Sequence, residues 1–273
     1  MPAHIVLIDA MNLIRRIYAV QERPFHYMDT LSESTKQQII HNTKIHTIQA
    51  VRKILDSQQP THILAVFDSK QPCWRYQVYP DYKKGRKKMP EHLEQSLVSI
   101  QDALLDLQVD SLVSDDDEAD DLIATLAVKV ALRAQDVTII STDKGFLPLL
   151  CDHIRVFDYF NQRHLDEAYV RDKFQVKSTQ LIDLWTLSGD STNKIPGVPG
   201  IGQITASKLL QQYHSLKGVL NASDLKNSLM KTLDEHKLQM QLYQELLTLK
   251  KDIPLGFNLK DIRIPKPVSQ QAV

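Results

Sequence analysis

Short, unbroken apolar runs alternate with longer amphipathic segments in the first part of the chain. The runs are rich in β-branched residues, which is typical of buried strands in a parallel sheet. They are residues 4–8, 63–67 and 137–140. The amphipathic segments predict helices at residues 43–55, 91–107 and 121–134. This alternation predicts an α/β domain with a mostly parallel sheet flanked by helices.

The pattern changes at about residue 166, after which short amphipathic helices follow one another without strand signals. These helices are expected at residues 166–174, 179–187, 203–213 and 234–249. We therefore expect a sheet domain at residues 1–165, a smaller helical domain at 166–262 and a disordered tail at 263–273.

Aspartates follow the three predicted strands: Asp9 and Asp68 directly, and Asp143 after two further residues. The carboxyl ends of parallel strands meet at one edge of the sheet, where ligands bind in such folds. An aspartate at a strand end is also a common turn or cap residue. Three of them, together with the acidic run described next, favour one shared site.

Six carboxylates occupy the seven positions 115–121, immediately before an apolar helical segment. Acidic residues at a helix start gain only about 0.3–1 kcal/mol each from the helix dipole, and crowding them costs Coulomb repulsion. Asp117, Glu118, Asp120 and Asp121 could present oxygens to one patch, which suits Mg²⁺ or Mn²⁺. The alternative is a solvated cap of an ordinary helix.

Two long polar segments, residues 22–34 and 71–90, interrupt the α/β pattern. Long segments of this kind in a compact domain are usually functional or mobile. The second contains a basic cluster at residues 83–88, which is either a phosphate-binding element or a solvated loop.

A glycine-rich segment at residues 189–202 precedes a predicted helix. Its glycines allow close approach of the backbone, and the free amides of a helix N-terminus suit a phosphate. Lys194 and Lys208 lie on either side. The segment is therefore suited to binding a nucleic-acid backbone without recognising its bases. The alternative is a purely structural turn between two helices.

Composition excludes several classes of protein. The chain has 273 residues, 42% hydrophobic and 24% charged, which is ordinary for a globular protein. Its 33 basic and 33 acidic residues cancel, so the net charge indicates no partner. The two cysteines, Cys73 and Cys151, indicate reduced thiols in a cytoplasmic setting, and no apolar run approaches the roughly 20 residues of a membrane span.

Six short motifs follow one another along nearly the whole chain: residues 7–16, 66–68, 80–86, 118–121, 141–145 and 195–202. In this order they resemble the 5′ nuclease, or flap endonuclease, superfamily. The resemblance implies a PIN-like sheet whose carboxylates bind Mg²⁺, with Mn²⁺ as a possible substitute. It also implies a helix–three-turn–helix element that grips duplex DNA.

The resemblance further implies roles for individual residues. The carboxylates around the metal ions correspond to Asp9, Asp68, Glu118, Asp120, Asp121 and Asp143. The basic pair that steers the scissile phosphate corresponds to Lys83 and Arg86, and the aromatic beside it to Tyr82. The carbonyls that hold a K⁺ ion correspond to those of Leu187, Ser188, Pro196, Val198 and Ile201. The remaining DNA contacts correspond to Lys194, Gly200, Ile201, Gly202, Gln203, Ile204, Thr205 and Lys208.

Two departures from the family pattern weaken the second metal position. Gly145 stands where typical members carry the second acid of Asp-Lys-Asp, and Asn193 replaces another acid. Asp190 and Asp121 remain to hold a second ion. We therefore expect an intact first ion and a second one bound weakly, largely through water or substrate phosphate.

The expected function is a Mg²⁺-dependent flap endonuclease that acts on 5′-flap or branched DNA in replication or repair. We expect a monomer, with any DNA polymerase partner supplied in trans. One alternative is a structure-specific DNA-binding protein that has lost catalysis. Another is phosphotransfer at an aspartate, against which the sequence offers no Asp-x-Asp-x-Thr motif after the first strand.

Overall fold

The computed structural model describes residues 3–28, 30–69, 71–113 and 117–265. Asp115 and Asp116 of the acidic run, and residues 266–273 of the expected tail, lie outside this part of the chain. The described strands are β1 (His4–Asp9), β2 (His62–Phe67), β3 (Asp110–Val113), β4 (Asp136–Ile140), β5 (Ile154–Asp158) and β6 (Arg163–His164).

The strands form one sheet in the order β3-β2-β1-β4-β5-β6. All neighbours are parallel except β5 and β6, so the prediction of a mostly parallel sheet is confirmed. The sequence did not single out β3, β5 or β6. β3 is only half-buried and β6 has two exposed residues, so neither shows the continuous apolar run of a central strand.

The central strands are buried on both faces. Alternate residues of β1 join different apolar clusters: Ile5 and Leu7 pack on one side of the sheet, and Val6 and Ile8 on the other. This follows from the two-residue period of a strand. It explains why the central strands read as unbroken apolar runs rather than as alternating patterns.

In the first part of the chain, the described residues form five helices: α1 (Ala10–Glu22), α2 (Glu33–Gln58), α3 (Trp74–Val78), α4 (Glu91–Leu105) and α5 (Ala119–Ala131). Helices α1, α2 and α4 cover one face of the sheet, and α5 covers the other. Helix α2 begins ten residues before the predicted start because Ser32 caps it, accepting the N–H of Thr35 at 3.2 Å. No helix in the described ranges is long and apolar enough to cross a membrane.

The C-terminal region, as far as residue 265, contains six further helices: α6 (Glu167–Phe174), α7 (Leu181–Ser188), α8 (Gln203–Tyr213), α9 (Leu216–Leu220), α10 (Asn227–Glu235) and α11 (Lys237–Leu247). The single helix predicted at residues 234–249 is wrong. Its first residues belong to α10, and the backbone of His236, at φ −107° and ψ 14°, separates α10 from α11. The apolar cluster under α5 continues into these helices, so the two regions share a core.

After α11 the chain returns to the sheet domain. The hydroxyl of Thr125 donates a hydrogen bond to the carbonyl of Lys250 at 3.2 Å, and the ammonium of Lys129 donates one to the carbonyl of Ile253 at 2.8 Å. Arg263 then pairs with His62 at the start of β2. This returning segment places the end of the helical region against α5. The domain boundaries given by the sequence stay a prediction.

Candidate active site

Acidic side chains meet at the carboxyl ends of the central strands. Asp9 ends β1, Asp68 follows β2, and Asp143 follows β4 after Ser141 and Thr142. The charges of Asp68 and Asp143 both act on Asp9. The start of α5 joins them, because Asp68 accepts the N–H of Ala119 at 3.2 Å and Asp120 faces Asp143 and Asp9.

Asp9 is the most constrained member of this group. It is 6% exposed, accepts the N–H of Asn12 at 3.1 Å as the cap of α1, and accepts the hydroxyl of Ser141 at 2.7 Å. Burial raises the pKa of Asp9 to about 7; the charges of Asp143 and Asp68 add to the rise, and the two hydrogen bonds oppose it. In the metal-free protein, ionising Asp9 therefore costs more free energy than ionising an aspartate in water.

The pKa of Asp120 is raised for the same reasons. Withdrawal from solvent raises the pKa of Asp120 well above its ordinary value, and the charges of Asp143 and Asp9 raise it further. A divalent cation fits this donor set, because hard carboxylate oxygens are its preferred ligands and it would offset the crowded charge. The site matches a divalent cation in the type and charge of its donors but not yet in their spacing. Within the described residues, no three acidic, histidine or cysteine side chains are close enough to hold an ion together.

Glu118, which precedes α5, lies between two cations. Lys83 donates to one of its oxygens at 2.6 Å, and Arg75 donates to the other at 2.7 Å. The hydroxyl of Tyr82 donates to the second oxygen at 3.2 Å. Burial alone would raise the pKa of Glu118, but the charges of Lys83 and Arg75 outweigh it, so this pKa lies below its ordinary value.

Asp121 has partners other than the strand-end acids, and its assignment as a metal ligand stays a prediction. Its side chain is fully buried, with Arg75 donating to both of its oxygens at 2.6 and 2.8 Å. The N–H of Lys250 adds a third bond at 2.9 Å. Adjacent residues of a helix point about 100° apart, so the side chains of Asp120 and Asp121 leave α5 in different directions.

Asp190, the other acid assigned to the second ion, is also engaged within the protein. It is 2% exposed, and its first oxygen accepts from Lys144 at 2.7 Å and from the N–H of Thr192 at 3.0 Å. The amide of Asn193 donates to its second oxygen at 2.9 Å. The side chain that replaces an acid of the family pattern therefore holds Asp190 in place.

A cleft of about 550 Å³ opens in front of the acidic group, lined by Asp68, Glu118, Lys83 and Arg86 among others. Lys83 takes a left-handed backbone conformation, φ 51°, and its N–H bonds to the carbonyl of Asn193 at 3.1 Å. Arg86 is exposed at the cleft, whereas Tyr82 is only 3% exposed. Acidic and basic side chains therefore face the same opening.

The glycine-rich turn joins α7 to α8 beside this cleft. Gly197 has φ 74°, and a Cβ there would lie 2.2 Å from the backbone nitrogen of Gly189, so only glycine fits. The carbonyls of Leu187 and Val198 accept backbone N–H groups at 2.8 and 3.0 Å within the turn. The start of α8 is exposed, without a side-chain cap, at Gly202, Gln203, Ile204 and Thr205, with Lys208 one turn further on; Lys194 and Gly200 are exposed in the turn itself.

Sequence reasoning identified Lys83, which contacts Glu118, but missed two other cations that contact the acids. Arg75 and Lys144 lie in segments that the sequence did flag, but nothing local shows that one is 1% exposed or that the other bonds to Asp190. Ser141 was also missed, although a hydroxyl immediately after a buried strand is a recognisable candidate to bond a strand-end acid.

We expect a divalent cation to stabilise this protein more at high pH than at low pH. The pKa of Asp9 is raised from its ordinary value of 3.8 to about 7, so its contribution to stability is complete below about pH 4 and lost as the pH rises through about 7. Thermal unfolding with EDTA should therefore show a midpoint that falls between about pH 4 and pH 7 and levels off above that range, and saturating Mg²⁺ should remove most of that fall.

The control is Asp136→Asn, which changes a surface acid at the opposite end of β4 and should leave the metal effect intact. If Mg²⁺ raised the unfolding midpoint equally at the low and high ends of this pH range, a metal site built on the buried acids would be contradicted. Each kcal/mol of stabilisation corresponds to roughly 2–4 °C for a chain of this size class.

Known families match the whole described chain. Residues 4–175 match the 5′-3′ exonuclease N-terminal resolvase-like domain, and residues 176–270 match the 5′-3′ exonuclease C-terminal SAM fold. The flap endonuclease Xni of Colwellia psychrerythraea is 63% identical over 269 residues, which is 97% of this chain and 93% of that protein. The flap endonuclease Xni of Aeromonas hydrophila is 46% identical and covers 96% of both chains.

Solved structures match in fold. The bacteriophage T5 D15 protein crystallised with metal ions has a TM-score of 0.70 at 20% identity, over 90% of this chain and 89% of that one. The T5 5′-exonuclease with bound zinc has a TM-score of 0.71 at 20% identity, over 89% of each chain. The predicted combination of a PIN-like sheet with a smaller helical domain is confirmed. The chain therefore belongs to the 5′-3′ exonuclease family, as its sequence motifs indicate, and is a nuclease.

Proposed function

We propose that the protein is a structure-specific, Mg²⁺-dependent flap endonuclease that hydrolyses phosphodiester bonds in 5′-flap or branched DNA during replication or repair. The observation that supports this most is that Asp68 and Glu118 line one cleft with the basic side chains of Lys83 and Arg86, while the charge of Asp68 also acts on the buried Asp9. The names of the similar proteins support the same activity.

The carboxylates proposed to hold the ion are those whose charges act on Asp9 or Asp120, together with these two: Asp9, Asp68, Glu118, Asp120 and Asp143. Bound Mg²⁺, or Mn²⁺ in its place, would polarise the phosphate and make a water molecule a better nucleophile. Lys83 and Arg86 then place positive charge next to the phosphate, where negative charge develops during hydrolysis. Tyr82 packs beneath Lys83, with the ammonium 5.0 Å from the ring centre.

The second ion is proposed to bind weakly. Both acids assigned to it are already neutralised, Asp121 by Arg75 and Asp190 by Lys144. An ion there would have to displace a guanidinium or an ammonium, or rely on water and substrate phosphate. We leave Asp121 out of the ligand set because it is also fully buried, whereas Glu118 stays in the set because it lines the cleft, although it too contacts two cations. Asp190 is assigned a role in fixing the glycine-rich turn.

Duplex DNA is proposed to lie along the glycine-rich turn and the start of α8. The free amides of α8 and two exposed lysines suit the phosphate backbone, and Ile204 is 74% exposed beside them. The proposed contacts are Lys194, Gly200, Ile201, Gly202, Gln203, Ile204, Thr205 and Lys208. A K⁺ ion is proposed at the carbonyls of Leu187, Ser188, Pro196, Val198 and Ile201, since a carbonyl that accepts one N–H keeps a second lone pair.

The test is a labelled 5′-flap duplex incubated with the purified protein in K⁺ buffer, with Mg²⁺ or with EDTA. We expect cleavage near the flap junction that requires Mg²⁺, and little cleavage of blunt duplex or unbranched single strands. The same reactions titrated with Mg²⁺ should show one tight and one weak dependence, because one site retains its acids.

The second candidate is a catalytically weak nuclease that acts mainly as a structure-specific DNA-binding protein, which the neutralised Asp121 and Asp190 favour. It would bind the flap duplex in EDTA, with strong salt dependence, and release little product with Mg²⁺. That outcome in protein free of contaminating nuclease would overturn the proposed activity while leaving the DNA-binding surface in place.

A further inference from the structure

Arg75 is the largest fully buried side chain, and its guanidinium is saturated with partners. All five N–H donors of the group find acceptors at 2.6 to 3.1 Å. Two of these bonds form a fork on Asp121, and one reaches Glu118. A buried charge of this kind is tolerated only when its partners are complete.

The other two bonds connect Arg75 to the end of the helical region. Its Nε donates to the carbonyl of Leu246 at 2.9 Å, and Nη2 donates to that of Thr248 at 3.1 Å. These carbonyls lie at the C-terminal end of α11, where backbone acceptors lack helical partners and positive charge is favoured. One guanidinium therefore ties the end of α11 to the start of α5.

Among the hydrogen-bond partners of Arg75 in the described part of the chain, only Glu118 also lines the cleft. Its other oxygen contacts Lys83, so it could turn toward either cation. Arg75 cannot move, because α3, α5 and α11 all hold it. The orientation of the Glu118 carboxylate is therefore fixed by the buried guanidinium of Arg75.

We propose that Arg75 is a positioning residue that orients Glu118 for the divalent cation and links that orientation to the docking of α11. The proposal rests on the proposed function in one respect, the assignment of Glu118 to the ligand set. Side chains that hold metal ligands in place typically account for 10–100-fold in metal affinity or activity. Arg75 acts through Glu118 and touches neither the ion nor the substrate.

The test measures Mn²⁺ binding to the full-length protein without DNA, from the electron paramagnetic resonance signal of free Mn²⁺. Replacing Arg75 alone would leave the buried carboxylate of Asp121 without a compensating charge. The main variant is therefore Arg75→Met combined with Asp121→Leu, which removes both members of the ion pair. Arg75→Lys is the second variant, since it keeps the charge but loses the fork. Arg133→Met, at an exposed arginine beyond α5, is the matched control.

We expect the double variant to keep its circular dichroism spectrum and to bind Mn²⁺ about 10–100-fold more weakly, with Arg75→Lys changed in the same direction. Adding Glu118→Gln should cause no further loss beyond that of Glu118→Gln alone. Wild-type affinity in a folded Arg75 variant, or losses that add to those of Glu118→Gln, would overturn the positioning role. Wild-type affinity in Glu118→Gln alone would instead overturn the ligand set of the proposed function.

Discussion

Asp120→Asn should reduce cleavage of a 5′-flap duplex by a factor on the order of 10³ or more and leave flap binding nearly unchanged. The substitution removes the negative charge of a proposed metal ligand but no positive charge from the cleft. The same substitution should raise the unfolding midpoint in EDTA. The raised pKa of Asp120 means that its ionised form is disfavoured in the folded protein, so an amide relieves the repulsion from Asp143 and Asp9.

The measurements are single-turnover cleavage, filter binding of the flap duplex in EDTA, and thermal unfolding. Asp136→Asn is the matched control, because it removes an acid from the opposite end of β4 and should change neither activity nor binding. Lost activity with a lowered midpoint would show damage to the fold rather than to the site. Retained cleavage within tenfold of wild type would exclude Asp120 from the ligands.

Lys83→Ala should slow single-turnover cleavage about 100-fold and weaken flap binding only a few-fold. A donor aimed at developing charge contributes roughly 10²–10³ in rate, whereas one phosphate contact among many contributes little to affinity. Lys83 is suited to this role because its side chain is 11% exposed and lies in the cleft, 2.6 Å from Glu118.

Lys84→Ala provides the comparison, since it removes the same charge one residue away. Lys84 is 72% exposed and pairs only with Asp81 on the surface among the ion pairs described. It should therefore have normal turnover and a similar small loss of affinity. A large loss of affinity with normal turnover in Lys83→Ala would make the basic loop a general electrostatic anchor.

The sequence predicted the central strands and most helix positions because those signals are local. Apolar runs such as residues 137–140 show burial on both faces directly, and the edge strand β6 lacks that signal because it is exposed. The break at His236 was not predictable from apolar spacing, which continues across it into α11. Boundaries set by a cap, such as Ser32 before α2, were missed because polar residues on an exposed helix face resemble a loop.

The family, the α/β architecture and the residue types for metal and phosphate chemistry were determined by the sequence alone, since motif order and hydrophobic period need no contact information. The tertiary structure decided which acids are paired with basic side chains. Asp121 and Asp190 look like ligands in the sequence, but Arg75 and Lys144, each 46 residues away, neutralise them. Such pairings arise only when distant segments pack together, because charge compensation depends on distance in space and not on spacing along the chain.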